Sequence, residues 1–163
     1  MQQEYKSAAT SINSKKVPAL FKRIGWSPGT VNLDWGGGKY DTATDYLAGI
    51  GVKNFIYDPF NRTPEHNAKI GAPGSYDTAT ISNVLNVIKE PEIRKEIICK
   101  VLDFLKKGGI IYVGVYEGNA SGVGRQTKEG SWQTNMKIAG YLKELQEFNP
   151  VIKNKTIIIK KEE

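Results

Sequence analysis

Apolar residues in this chain come in short blocks that switch between helical and strand spacing. From Val17 to Ile24 they recur at helical intervals, with Pro18 tolerated in the first turn, and a short amphipathic helix is predicted there. Trp26-Ser27-Pro28-Gly29 is a turn, and the run opening at Val31 is the first strand, broken by three consecutive glycines, Gly36 to Gly38. Thr42 to Ile50 then reads as helix, with Tyr46, Leu47 and Ile50 on one face. Lys53 to Tyr57 is the second strand, and Thr63 caps a brief helix with Pro64 in its first position. Thr78 to Ser82 is the next strand. Glu90-Pro91 begins a strong helix whose buried stripe is Ile93, Ile97, Ile98, Val101, Leu102 and Leu105, closed by Lys106, Lys107, Gly108 and Gly109. Ile110 to Tyr116 is near-continuously apolar, as a strand buried on both faces would be. Trp132 to Phe148 reads as helix with Met136, Ala139, Leu142 and Leu145 inward, and Val151-Ile152 and Thr156 to Ile159 form a closing hairpin across Lys153-Asn154-Lys155.

The glycine turn carries the chemistry. Asp34-Trp35-Gly36-Gly37-Gly38 joins a strand to a helix, where glycine lets backbone approach a ligand and the helix N-terminus aims free N–H groups at it. Asp58 ends the second strand about 20 residues beyond the last glycine, the spacing of a ribose-binding acid. A carboxylate there accepts both hydrogen bonds of an unphosphorylated ribose diol. The dinucleotide pattern G-x-G-x-x-G fails, because its last glycine falls on Asp41, which caps the next helix and repels phosphate. A P-loop is absent. S-adenosyl-L-methionine (SAM), cationic at sulfur and free of phosphate, fits these carboxylates better than a pyrophosphate does.

Asp34-Trp35-Gly36-Gly37-Gly38 resembles motif I of class I SAM-dependent methyltransferases, and Asp58 resembles their ribose acid. Tyr76 to Ile88 is similar to their fourth-strand motif, and Phe104 to Val113 to their passage into the fifth strand. Tyr57-Asp58-Pro59-Phe60-Asn61-Arg62, Ser82-Asn83-Val84-Leu85-Asn86-Val87-Ile88 and Gly124-Arg125-Gln126-Thr127-Lys128 look like recurring phrases of short, phage-encoded members, over about residues 20 to 160. The resemblance implies a three-layer Rossmann-like α/β sheet in which the second, first, fourth and fifth strands lie side by side. It implies SAM as cofactor, held by Asp34, Trp35, Gly36, Gly37, Gly38, Asp58, Pro59, Phe60 and Asn83, with Phe60 against adenine. One departure stands out. Only 18 residues separate Asp58 from Asp77, too few for the usual helix, strand and helix, so the third strand and its helix are missing or vestigial. The acid that reads the adenine amine goes with them, and backbone around Gly74 to Tyr76 is expected to substitute.

Glu117 to Ser131 is rich in Gly, Ser, Asn, Arg, Gln, Thr and Lys, and fifteen irregular residues after a strand's carboxyl end lean functional. Arg125, Gln126, Lys128 and Trp132 are the candidates for gripping a polar or anionic substrate. Methyl transfer needs alignment above all and a base only where the acceptor must lose a proton. No catalytic residue announces itself; Asn83 and Glu117 are weak candidates, and the single histidine, His66, reads as a surface or capping residue.

Composition bounds the rest. The 163 residues, 39% hydrophobic and 25% charged, suit one soluble domain over 17–163, with 1–16 a mobile or lid-like segment. Neither a membrane span nor a signal peptide is legible, and one cysteine, Cys99, on an apolar helix face, fits a reduced cytoplasmic setting. No metal-binding spacing occurs. The net charge of +6 permits nucleic acid as a partner. Two DNA chemistries are disfavoured: the [DNS]PP[YF] phrase of amino methylation is absent, and Cys99 is not placed as the thiol that cytosine-C5 methylation needs. The expected function is methyl transfer from SAM to an unidentified acceptor, nucleic acid or a polar small molecule. The alternatives are a SAM-degrading counter-defence enzyme and a SAM-binding module without catalysis. Oligomeric state is not legible.

Overall fold

The structure, a computed structural model, describes residues 2–6 and 15–162. Of the expected N-terminal segment 1–16, Met1 and 7–14 lie outside the described residues. The strands are Val31–Trp35 (β1), Lys53–Tyr57 (β2), Tyr76–Ser82 (β3), Leu105–Gly114 (β4), Arg125–Gln126 (β5), Trp132–Gln133 (β6), Val151–Lys153 (β7) and Thr156–Lys160 (β8). The helices are Ala19–Arg23 (α1), Thr42–Ala48 (α2), Pro64–Asn67 (α3) and Pro91–Phe104 (α4). Six strands form one sheet in the order β2-β1-β3-β4-β8-β7. The first four run parallel, β8 runs antiparallel to β4, and β7 runs antiparallel to β8. The order expected for the first four holds, with β3 and β4 in the places of the fourth and fifth strands.

Among the described residues no strand lies beyond β2, in keeping with the short spacing from Asp58 to Asp77. The edge it leaves is covered by α3: the His66 ring meets the Ile56 carbonyl at 3.0 Å, and Asn67 pairs with both the amide and the carbonyl of Asp58. Thr63 caps α3 through its hydroxyl, which accepts from the His66 amide. His66 is therefore spent on the edge.

Apolar clusters lie on both sides of the sheet. Leu33, Ala79, Ile111, Val113 and Ile157 pack with Ile93, Ile98 and Val101 of α4. Leu20, Phe21, Ala43 and Leu47 form a second cluster with α1 and α2, joined by Tyr112. The centre of the sheet also carries a polar ladder. Asn32 bonds Asn54 and Thr80, Thr78 donates to Asn32, and Thr80 donates to Asp34 at 3.0 Å. Buried polar side chains on a central strand are tolerable because each finds a partner.

Several expectations are corrected. α4 stops at Phe104, and Lys106 to Gly109 belong to β4, which bulges opposite Tyr76 and Thr78. The helix end is closed instead by the amides of Gly74 and Ser75, which donate to the Asp103 and Phe104 carbonyls at 3.0 Å each. Those backbone groups are thus unavailable to adenine. Cys99 is exposed rather than on the apolar face. Burial and the acidic residues around it push its thiol up, with burial the larger cause.

Trp132 to Phe148 is not a helix. After β6 the chain makes 3-10 turns at Ile138–Tyr141 and Gln146–Phe148, with Asn135 and Asn149 in left-handed conformation. Ile138, Tyr141 and Leu145 point inward, and Ala139 is exposed. Long-range ties override the helical spacing. Thr134 N donates to the Asn86 carbonyl, Ile138 N donates to the Glu117 carboxylate, and Glu144 makes a two-pronged pair with Arg94 on α4. The closing hairpin β7–β8 turns through Asn154 and Lys155, both at positive φ, the geometry a tight two-residue turn demands. No helix among the described residues is long and apolar enough to cross a membrane.

Candidate functional site

The carboxyl ends of β1, β2 and β3 frame a crevice of about 290 Å³. Trp35 and Gly36 form its base at the glycine turn, and Tyr57, Asp58, Pro59 and Phe60 form one wall. Val84, Val87 and Ile88 form another, continued by Ile93 and Ile97 of α4. Gln2, Gln3 and Lys6 lie along its mouth. One wall of the crevice is therefore an apolar helix face. Phe60 stays 45% exposed, and Trp35 packs against Tyr57 with ring centres 4.2 Å apart and planes tilted by 32°.

The glycines are needed sterically. Gly36 has φ +76, and a Cβ there would stand 2.5 Å from Val84 Cγ2. A Cβ on Gly37 would stand 2.5 Å from Asp34 Oδ2. Asp34 thus lies buried beneath the turn rather than in the crevice wall. Burial is the main cause that raises its carboxyl to about 7, with nearby Asp58 adding to it while Thr80, Arg62 and Asn54 oppose it. Asp41 sits at the start of α2, but its side chain makes no cap; it pairs with Arg62 at 2.9 Å, and Arg62 also donates to the Gly38 carbonyl.

Asp58 is the hub. Its Oδ1 accepts from the Phe60 and Asn61 amides, and its Oδ2 accepts from the Gly38 amide and from Asn61 Nδ2. Those four bonds fill the acceptor capacity of a carboxylate. The acid expected to hold ribose therefore first holds the turn to the end of β2.

A second cavity, about 740 Å³, opens beside the first at the ends of β3 and β4. Val87 lines both, so the two share the wall formed by Asn83 to Val87. The structure brings Arg125, Gln126, Lys128 and Trp132 together here, as part of the hairpin β5–β6 rather than a wholly irregular loop. Asn83, at φ 56, lines this cavity and not the crevice. Glu117 lines neither, since its carboxylate holds the Ile138 amide at 2.7 Å. Trp132 stacks on Tyr5 at 5.3 Å and Lys89 stands over its ring, so part of its stacking surface is taken. Among the described residues no group of three or more His, Cys, Asp or Glu is placed to hold a metal ion.

Two features were not read from sequence: the crevice wall from Ile93 and Ile97, and the pairing of Asn86 with Gln133 in the cavity. The first leaves no local signal, since a helix stripe looks alike whether it faces core or crevice. Asn86 stood in a quoted motif, but its partner Gln133 lay in a stretch read as helix.

No protein-family model and no curated protein matches the chain. Solved structures do. A 1,6-didemethyltoxoflavin-N1-methyltransferase from Burkholderia thailandensis, with 1,6-didemethyltoxoflavin and S-adenosylhomocysteine bound, superimposes with TM-score 0.65 at 16% identity, over 83% of this chain and 72% of that one. A SAM-dependent methyltransferase from Methanosarcina mazei gives 0.60 at 18% identity, over 84% and 94%. One from Mesorhizobium loti gives 0.55 at 14%, over 86% and 83%. The chain has the class I methyltransferase fold.

Proposed function

We propose that this protein binds SAM in the crevice between the glycine turn and α4 and directs its methyl group to an acceptor in the adjoining cavity. The observation that carries this is the shared wall: a crevice with a glycine turn and a ribose-type acid lies one residue layer, Asn83 to Val87, from a polar cavity. The residues fit the cofactor. Gly36 lets the turn backbone lie against Val84 and line the crevice, Val84, Val87, Ile88 and Ile97 offer an apolar slot for adenine, and Asp58 lines the crevice at the end of β2, where a ribose acid is expected. Asn61 Nδ2, the one side-chain donor on Asp58 among the described residues, is the group that would yield its place to a ribose hydroxyl.

When bound, SAM supplies an electrophilic methyl on a sulfonium, which passes to a nucleophile while the carbon–sulfur electron pair stays on sulfur. The chain's own part is alignment and exclusion of water. The glycine turn sets the depth of the donor, Val84 and Val87 set its distance from the acceptor, and residues 2–6 close the mouth. Arg125, Gln126, Lys128 and Asn83 orient the acceptor. Transfer to an acceptor with a free lone pair needs no base from the chain. Resemblance in fold to methyltransferases crystallised with SAM-derived ligands supports the same reading.

Incubation with methyl-labelled SAM and fractionated nucleic acid, nucleotide and protein acceptors tests it. Label on an acceptor is the expected result. Label released as methylthioadenosine would instead mark a SAM-degrading enzyme, and unchanged SAM a binding module.

A further inference from the structure

The acceptor cavity contains a polar group whose orientation is fixed by a relay. Gln133 Nε2 donates to the Tyr116 carbonyl at 3.0 Å. A backbone carbonyl only accepts, so the Gln133 amide must turn its nitrogen to it. Gln133 Oε1 is then left to accept, and it accepts from Asn86 Nδ2 at 3.1 Å. The Asn86 side chain is thereby held with Oδ1 as its free end, and that oxygen is buried without a hydrogen-bond partner. Asn86 is 2% exposed and lines the cavity. A buried acceptor left unpaired is unfavourable, and a ligand that brings a donor relieves it.

The cavity lining is also charged. Arg125 and Lys128 both line it, and among the described residues neither is ion-paired; Glu129 opposes them with one negative charge. The volume, about 740 Å³, lies within the range of roughly 300–1,000 Å³ typical of sites for small molecules.

We propose that the cavity takes a nucleotide-sized heterocycle that presents an N–H to Asn86 Oδ1 and an anionic group to Arg125 and Lys128. This names the acceptor class for the methyl transfer proposed above, and it rests on that reading only for its role, since binding is measured separately. Discrimination at a buried, oriented acceptor is sharp, because an analogue lacking the N–H leaves the oxygen unpaired and adds a clash.

The probe is uridine 5′-monophosphate, which carries a ring imide N–H and a phosphate, compared with its N3-methyl analogue. Both are titrated calorimetrically into wild-type protein loaded with S-adenosylhomocysteine, whose own binding is titrated first. The expected result is that the methylated analogue binds at least about tenfold more weakly, and that uridine without phosphate also binds more weakly. Asn86→Leu is expected to bind both nucleotides alike, and thermal melting checks its folding; the wild-type comparison stands without it. Equal affinity for the two nucleotides in wild type, or binding of neither, overturns the inference. Heat from S-adenosylhomocysteine in the same samples shows whether the donor reading survives that failure.

Discussion

The Asp58 carboxylate accepts a hydrogen bond from the Gly38 amide at 2.9 Å, which ties the end of the second strand to the far side of the glycine turn. One acid therefore shapes the crevice, and on the proposed function it also holds the ribose, which would couple stability to ligand affinity.

Asp58→Ala strands the amides of Gly38, Phe60 and Asn61 without their acceptor. Leaving the buried Gly38 amide unmade costs about 1–3 kcal/mol and the two half-buried amides add less, so we expect unfolding free energy to drop by roughly 2–4 kcal/mol. SAM affinity should fall at least about tenfold, or ~1.4 kcal/mol. Asn61→Ala removes a single donor and should leave affinity near wild type. Calorimetry on both variants checks this; unchanged affinity in Asp58→Ala means the ribose is held elsewhere.

Gly36→Ala meets Val84 Cγ2 at 2.5 Å and forces alanine to φ +76. Overpacking costs about 1–3 kcal/mol and the left-handed backbone about 1–2 kcal/mol more. The variant should lose SAM binding in equilibrium dialysis. Adding Val84→Ala should restore part of the stability, by relieving the clash, and leave the backbone share lost. A single mutant as stable as wild type would show that the turn is not tightly packed.

Asp34 gives a pH signature. Its carboxyl is raised in the fold to about 7 from 3.8, so the folded state favours the protonated form. That contribution to stability is fully present below the unfolded value, declines as pH rises between the two, and is gone above about 7. Wild-type melting temperature should carry a downward component from pH 4 to 7 that Asp34→Asn lacks. Parallel pH profiles for the two proteins would contradict the burial of an ionisable Asp34.

Residues 2–6 are held by an aromatic latch. Tyr5 stacks on Trp132, Lys89 stands over both rings, and Glu4 pairs with Lys89 at 2.8 Å. If this segment closes the crevice, Tyr5→Ala should raise both the association and dissociation rates of SAM several-fold with little change in affinity. Stopped-flow tryptophan fluorescence reads this directly. Rates equal to wild type would make the segment a passive tail.

How much of this was legible follows from the range of the interactions. The glycine turn, Asp58, the capped α3 and the closing hairpin depend on residues close in sequence, and their signals were read. The absent third strand was a matter of chain length between Asp58 and Asp77. The misread stretch, Trp132 to Phe148, has helical apolar spacing, yet Arg94–Glu144, Glu117–Ile138 and Asn86–Thr134 contacts span 50, 21 and 48 residues and set its path. The end of α4 was misplaced for the same reason, because its cap comes from Gly74 and Ser75. The substrate candidates Arg125, Gln126, Lys128 and Trp132 were found by composition, but the oriented amide of Asn86 needed the fold to appear.

The most direct test of the account is amide chemical-shift mapping with SAM on isotopically labelled protein. The largest shifts should fall on Gly36, Gly38, Asp58, Phe60 and Val84, with smaller ones at Gln3 and Ile97. Shifts confined to the β5–β6 hairpin, or none at saturating SAM, would contradict it.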